Sequence, residues 1–291
     1  MGRTHKKGFT LIELLVVIAI IALLLSIVIP ALNRAKTYAQ RIVCGNNLRQ
    51  QALGLTLYAE QNDYRLPWTA AGFWLWDVSF WSTEQIQEFG GFKERGTFFC
   101  PGNRDANPDD ARYWQFSRLT GTYTEPQPIQ DESTLPKNQK MYTFYRVLPY
   151  VYLIQKYNQQ GVGTLTDTLV TGEKAKWITK LSEVRNAGST EMVIDAVLAG
   201  PSQLGALAFF EITAGGIDEL SGGTLRDHTN HRSRQTYPEG FVINGSRYYG
   251  PKPEGGNIAF ADGHVSWRAF GNANDPDMWW RYTTGGIRFW W

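Results

Sequence analysis

The chain has 291 residues, of which 43% are hydrophobic and 19% charged, so it can bury a substantial core and does not have the composition of a disordered protein. Its 29 basic and 27 acidic residues nearly balance, and a net charge of +2 argues against a strongly basic nucleic-acid-binding protein. With only two cysteines, Cys44 and Cys100, the chain cannot form a disulfide framework or a four-thiolate zinc site.

A long apolar stretch lies close to the N-terminus. Residues 14–25 are all apolar, and the stretch extends over about twenty residues from Phe9 to Ile29, which is the length of a helix that crosses a bilayer. The residues before it include basic side chains and no acidic one: Arg3, His5, Lys6 and Lys7. This charge pattern predicts a cytoplasmic N-terminus and an exported head.

A cleaved secretory signal and a plain membrane anchor are two alternative interpretations of this segment. The apolar stretch exceeds the roughly 7–15 residues of a secretory signal, and residues 29–34 offer no small-x-small cleavage site. Neither alternative accounts for Glu13, because a carboxylate at the centre of a bilayer costs about 2.5–3.5 kcal/mol on insertion scales. Glu13 therefore needs a partner or a special position.

Residues 8–13, Gly-Phe-Thr-Leu-Ile-Glu, resemble the processing site of type IV prepilins and type II secretion pseudopilins. The resemblance implies that a prepilin peptidase/methyltransferase cleaves after Gly8 and N-methylates Phe9, and that Glu13 is the glutamate at the fifth mature position. Parallel helices that are offset along their axis can place the new ammonium of Phe9 beside Glu13 of a neighbouring copy. Losing one partner of such a buried pair typically costs about 3–5 kcal/mol, so the pair favours assembly.

The helix is predicted to continue beyond the apolar segment. Pro30 is expected to kink it, because proline removes one backbone hydrogen bond and clashes with the preceding turn. Beyond Pro30, small and apolar residues recur at spacings of three and four, which predicts an amphipathic continuation. The predicted organisation is a prepilin leader at 1–8, a transmembrane segment at 9–29, an amphipathic helix half at 30–62 and a globular head at 63–291. Leader removal takes away three basic residues and leaves 26 against 27 acidic ones.

The head is predicted to be rich in β-structure, because glycines and prolines punctuate short aromatic runs after Tyr64. Predicted strands are 96–100, 141–153, 191–196, 257–260 and 264–268. The last two flank Ala261-Asp262-Gly263, which is typical of a hairpin turn. The predicted fold class is α+β, with one long N-terminal helix packed on a mostly antiparallel sheet, as in pilins.

Further segments resemble a planctomycete- and verrucomicrobial-type family of pseudopilin-like proteins. That family has a C-terminal motif of His, nine residues and Asp-Gly, which corresponds here to His231, Asp262 and Gly263. In this chain thirty residues separate His231 from Asp262, so an insertion rich in Gly, Tyr and Pro breaks the family's spacing. The other matching segments are 44–50, 58–67, 99–101, 193–196 and 256–265.

Two interpretations of the cysteines remain open. In an oxidising periplasm, Cys44 on the helix and Cys100 before a proline can form a disulfide that joins the helix to the head. The alternative is a pair of buried free thiols, because cysteine is among the most buried residue types.

The sequence predicts no metal site and no cofactor, with Ca²⁺ kept as an alternative. His228, His231 and His264 lie near Asp227 and Asp262 in the sequence, and imidazole with carboxylate suits zinc, whereas oxygen ligands alone suit calcium. The favoured interpretation is that Asp262 and Gly263 form a hairpin turn and that His264 is a strand residue. Motifs typical of enzymes are missing, so no catalytic residue is predicted.

The function predicted from these features is that of a processed pilin or pseudopilin-like subunit of a type II secretion or type IV pilus-like filament. Its expected partners are the prepilin peptidase, other copies and pseudopilins, and the inner membrane, with a periplasmic or surface-exposed head and no nucleic acid. The alternative is a membrane-anchored binding module whose aromatic-rich head captures polysaccharide or exported cargo.

Overall fold

The structure is a computed structural model. It describes residues 10–67, 77–103, 108–109, 114, 116–117, 132–142, 144–154, 178–195, 197–201, 207–209, 230–243, 246–270, 280–284 and 287–290. The chain divides into two compact units, Met1–Gln40 and Arg41–Trp291. The cleavage and methylation residues Gly8 and Phe9 lie outside the described residues.

Helix α1 (Leu11–Gln61) begins with a capping box and runs without interruption through Pro30. Thr10 donates its backbone N–H and its hydroxyl to Oε2 of Glu13, both at 2.8 Å, and the Glu13 N–H donates back to Thr10 Oγ1. This reciprocal pattern satisfies backbone donors that have no partner within the helix. Residues 10–32 are all exposed, and α1 is long and apolar enough to cross a membrane. The kink predicted at Pro30 stays a prediction.

Within the second unit, α1 buries one face in the core of the head. The buried residues recur at spacings of three and four, as an amphipathic helix requires. They are Cys44, Leu48, Gln51, Ala52, Gly54, Leu55 and Ala59. Gln51 donates to the Thr97 carbonyl at 2.6 Å and accepts a short hydrogen bond from the Tyr152 hydroxyl, so this buried amide is satisfied.

A small three-stranded sheet and two helices pack together in the first part of the head. The elements are β1 (Asp77–Ser79), α2 (Phe80–Gly90), β2 (Phe116–Ser117), α3 (Lys137–Tyr142) and β3 (Phe144–Val147), and the strand order is β1-β3-β2. Helix α2 begins where the Ser79 hydroxyl accepts from the Ser82 N–H and ends at Gly91, which has a φ of 67°. The sequence did not predict α2, and the expectation of strands and loops is wrong at this position.

The second sheet contains the described strands β4 (Tyr150–Tyr152), β5 (Glu191–Asp195), β6 (Val197–Pro201), β7 (Leu207–Phe209), β8 (His231–Ile243), β9 (Ser246–Phe260), β10 (Val265–Ala269), β11 (Trp280–Thr284) and β12 (Ile287–Trp290). Its order is β11-β12-β6-β7-β9-β5-β4, and β8 and β10 also pair with β9. Among these described strands only β7 and β9 pair in parallel, so the predicted α+β fold class with a mostly antiparallel sheet is confirmed.

Some of the predicted strands are confirmed by the structure and others are wrong. Strand β5 and the last part of β9 occupy predicted positions, and β10 corresponds to the predicted strand at 264–268. The prediction of a strand at 96–100 is wrong, because Arg95–Phe98 forms a 3₁₀ turn. The predicted strand at 141–153 is divided among the end of α3, β3 and β4. The insertion between His231 and Asp262 forms the antiparallel hairpin of β8 and β9, in which His231 pairs with Gly255.

The hairpin turn predicted at Asp262 and Gly263 is present between β9 and β10. Gly263 has a φ of 87°, and a Cβ there would meet nothing within 4 Å. Replacing Gly263 by alanine is therefore expected to cost about 1–2 kcal/mol of unfolding free energy through backbone conformation alone. Urea unfolding would measure this, and Gly263→Asn should cost less because asparagine tolerates positive φ. Equal stability of the alanine variant and the parent would contradict the prediction.

Candidate functional site

Two groups of residues in the described chain carry functional chemistry: the start of α1 and a buried cluster in the head. At the start of α1, Glu13 is exposed and its carboxylate is held by Thr10. The side chains that follow are large and apolar, and their exposed fractions include 79% for Leu11 and 67% for Ile27. A contiguous apolar surface of this kind is typical of a site that contacts lipid or another protein.

The buried cluster consists of four residues from four separate elements. Cys44 lies on α1, Cys100 in the turn after the 3₁₀ segment, Asp195 at the end of β5 and His231 at the start of β8. All four are at most 3% exposed, and one potential ligand atom from each lies within 4.8 Å of the others. Three contacts within the cluster are 2.9 Å from His231 Nε2 to Asp195 Oδ2, 3.0 Å from Cys44 Sγ to the same oxygen and 3.4 Å from Cys100 Sγ to His231 Nε2.

A tight turn positions Cys100 beside the histidine. The Asn103 N–H donates to the Cys100 carbonyl at 3.0 Å, and the Gly102 N–H donates to Cys100 Sγ at 3.3 Å. A Cβ on Gly102 would lie 2.7 Å from Nδ1 of His231. Glycine at this position therefore lets the imidazole approach the turn closely.

Neighbouring polar groups hold Asp195 in place. The Asn230 amide donates to Asp195 Oδ1 and to the Pro149 carbonyl, and its own oxygen accepts from Asn103 at 3.1 Å. The Asn257 N–H donates to Asp195 Oδ2 at 3.4 Å. Each carboxylate oxygen therefore has a hydrogen-bond donor from the surrounding protein in addition to the cluster itself.

Burial and mutual contact determine the charges in the cluster. Burial raises the pKa of the Cys44 thiol well above its usual value, with contributions from Cys100 and Asp195, and burial also raises the pKa of Cys100. For His231, burial acts to lower the pKa, but Asp195 outweighs it and raises that pKa to about 10. These pKa shifts favour neutral thiols on Cys44 and Cys100 and a protonated His231 in the cluster.

The two cysteines are free and buried in the structure, so the disulfide between Cys44 and Cys100, one of the two interpretations left open by the sequence, is not formed there. The alternative of two buried thiols describes them. The sequence correctly suggested that the helix cysteine and the head cysteine approach each other. It did not suggest that Asp195 joins them, because neither the predicted strand at 191–196 nor the matching family segment 193–196 indicates a contact with the cysteines.

The C-terminal motif residues lie in two different environments. His231 is in the buried cluster with Asp195. Asp262 is exposed in the hairpin turn, where it accepts the His264 N–H at 3.1 Å and contacts His264 Nδ1 at 2.6 Å. Asp262 and Gly263 thus occupy the turn that the favoured interpretation predicted.

Comparison with protein families identifies the N-terminal segment. The family model of the prokaryotic N-terminal methylation motif matches residues 3–29. The chain has a prepilin-type N-terminus. This confirms the resemblance predicted from residues 8–13, and the order of a long apolar helix followed by antiparallel sheet is similar to that of type IV pilins. No curated protein and no solved structure matches it.

Proposed function

We propose that this chain is a processed structural subunit of a type II secretion or type IV pilus-like filament and that it assembles through the N-terminal half of α1. The observation that carries the proposal is the exposed apolar half of α1. It follows the cleavage position of a prepilin processing motif and bears one acidic residue, Glu13. The family of the motif consists of structural subunits, which agrees with the expectation that this chain is not an enzyme.

The apolar half of α1 supplies the driving force for anchoring and assembly. Burying one large aliphatic side chain is worth about 1.5–3 kcal/mol. More than a dozen such side chains between Leu11 and Ile29 are about half exposed or more. Before assembly, the bilayer covers them, with the leader in the cytoplasm and the head outside. In a filament, the same segments of other copies replace the lipid.

Glu13 supplies the specificity of assembly. In the single chain, its carboxylate caps the first turn through Thr10, so the residue is satisfied locally but keeps its negative charge. Cleavage after Gly8 would create an ammonium on Phe9, the residue before Thr10. Pairing this cation with Glu13 of a neighbouring copy neutralises both charges in an apolar environment and fixes the stagger between helices.

The alternative function, a binding module, has no specific support from the described residues. Its sequence argument rests on four aromatic clusters, at residues 73–76, 80–81, 279–280 and 289–291. Of these, residues 73–76, 279 and 291 lie outside the described residues. Phe80, from another of these clusters, is fully buried against Phe144 and Arg146 and thus belongs to the core.

The proposal is tested by Glu13→Gln. Glutamine can still accept the capping hydrogen bonds from Thr10, since the capping box accepts Glu or Gln, but it carries no charge. We expect the amount of subunit in sheared filaments to fall at least tenfold in cells with an active prepilin peptidase, because each tenfold corresponds to about 1.4 kcal/mol of the 3–5 kcal/mol at stake. Immunoblotting of sheared and cell-bound fractions measures this.

The matched control is Thr10→Ala, which weakens the cap by about 1 kcal/mol and keeps the charge. This variant should enter filaments nearly as well as the parent. N-terminal sequencing should find Phe9 as the first residue in the parent and in both variants. Normal assembly of the glutamine variant, or a mature parent chain that still begins at Met1, would contradict the proposal.

A further inference from the structure

We propose that Cys44, Cys100, Asp195 and His231 form a structural zinc site that joins α1 to the head. The four side chains are the types that bind Zn²⁺ in proteins: two thiolates, an imidazole and a carboxylate. Their ligand atoms converge within 4.8 Å of one another in the head core. The inference is independent of filament assembly.

The distances suit a tetrahedral ion. With bonds of about 2.0 Å to oxygen and nitrogen and about 2.3 Å to sulfur, the ligand atoms of a zinc site lie about 3.3–3.8 Å apart. The observed contacts of 2.9, 3.0 and 3.4 Å are at or slightly below that range. The other ligand-atom pairs lie within 4.8 Å of one another. Shifts of a few tenths of an ångström for the short contacts, and of at most about 1 Å for any longer pair, would therefore place all four atoms around one zinc ion.

The chemistry of the surroundings favours a bound cation with thiolate ligands. Two thiolates and one carboxylate carry three negative charges, and Zn²⁺ reduces the total to one. Donors already point at these atoms: the Gly102 N–H at Cys100 Sγ, the Asn257 N–H at Asp195 and the Tyr150 hydroxyl 3.5 Å from Cys44 Sγ. Such donors orient ligands and offset the remaining charge. Binding would release the thiol protons and require an unprotonated Nε2 on His231.

The site has the character of a structural site rather than a catalytic one. A catalytic zinc keeps one position open for water or substrate, whereas here four protein ligands would fill the tetrahedron and all four are buried. The ligands come from four elements that are far apart in the sequence. Zinc would thus fix the α1 residue Cys44 to the sheet strands β5 and β8 and to the turn at Cys100.

A disulfide between Cys44 and Cys100 is the competing state, because it uses both thiols and excludes the metal. It would not explain why Asp195 and His231 converge on the same point with ligand atoms facing the sulfurs. The convergence of four zinc ligand types, rather than of the two sulfurs alone, is the reason for assigning a metal.

The test uses the full-length chain purified in detergent with reductant and ZnCl₂, then freed of unbound metal. We expect about one zinc per chain by mass spectrometry of the metal content. Replacing zinc by Co²⁺ should give the intense visible absorption of tetrahedral cobalt and a near-ultraviolet thiolate charge-transfer band. Both measurements use the unmodified chain, so they do not depend on the folding of a variant.

Variants then assign the ligands. Cys100→Ser and His231→Gln should each lower zinc affinity at least tenfold in a chelator competition. The matched control is His264→Gln, which removes the histidine of the exposed Asp262 and His264 pair and should leave zinc content unchanged. Circular dichroism checks that each variant is folded.

Two outcomes would overturn the zinc assignment. One is a folded parent chain that binds neither Zn²⁺ nor Co²⁺ while both thiols react with a thiol reagent after denaturation. The other is a chain from cells whose non-reduced mass shows a disulfide and which still binds no metal after reduction. Filament assembly can be normal or absent in either case, so these results do not test the proposed function.

Discussion

Replacing Arg146 by methionine is expected to lower the free energy of unfolding of the head by about 3–5 kcal/mol. Arg146 is 1% exposed and lies between the rings of Phe80 and Trp114, with its guanidinium carbon 4.1 and 3.8 Å from their centroids. It donates to Thr83 Oγ1 at 2.7 Å, to the Trp114 carbonyl at 2.8 Å and to both carboxylate oxygens of Glu132.

Methionine fills most of the volume of the arginine side chain but donates no hydrogen bond. The expected loss of unfolding free energy is therefore large. Burial lowers the pKa of Arg146, while Glu132 acts to raise it, so the ion pair offsets part of the cost of burying the guanidinium. The variant removes the opposite charge from Glu132 and leaves the buried Thr83 hydroxyl without this donor. Urea unfolding of the full-length chain in detergent, followed by tryptophan fluorescence, measures the change.

Two further variants separate charge from geometry. Arg146→Lys keeps the charge but loses the planar fork, so its stability should lie between those of the parent and the methionine variant. The double variant Arg146→Met with Glu132→Gln should recover part of the loss, because a neutral amide then replaces the charged carboxylate at position 132. A methionine variant within 1 kcal/mol of the parent would show that the buried network contributes little.

The sequence predicted the parts of the fold that have a strong local signal. Helix α1 follows from a continuous apolar stretch and then from a three- and four-residue spacing, and the β9 to β10 turn follows from Asp262-Gly263 between two strands. Helix α2 was missed although Ser79 and Gly91 are good caps, because its neighbouring glycines and aromatic residues resemble a strand and loop pattern. Local patterns of this kind are decided by packing, which the sequence does not display.

The buried cluster shows a different limit of sequence reasoning. Its members occupy positions 44, 100, 195 and 231, so no motif spacing connects them. The sequence indicates a role for the cysteines because the chain has only two, and for His231 because it matches a family motif. Asp195 lies in segment 193–196, which resembles the pseudopilin-like family, but that segment did not indicate a contact with the cysteines or with His231. The pairing of β5 with β9, and of β9 with β8, brings the end of β5 to the start of β8. Long-range sheet pairing therefore created the site.

Replacing Gly54 by alanine is expected to destabilise the head by about 3 kcal/mol. An alanine Cβ would lie 2.4 Å from the Ile86 carbonyl oxygen and 3.1 Å from the Gly90 nitrogen, so it would meet backbone of α2 that cannot rotate away. In an open helix, the same change would stabilise by about 0.8–1.0 kcal/mol, because alanine has the higher helix propensity. The sign of the change thus reports how closely α1 and α2 approach.

Gly45, on the same helix, provides the matched control. A Cβ there would lie 3.3 Å from Asn257 Oδ1, a side-chain atom that can move by a few tenths of an ångström. Because the helix-propensity gain offsets this small shift, Gly45→Ala should stay within about 1 kcal/mol of the parent in the same urea unfolding experiment. If Gly54→Ala were as stable as Gly45→Ala, α1 and α2 would have to lie further apart than the structure places them, since both variants gain the same propensity and differ only in what the added methyl group meets.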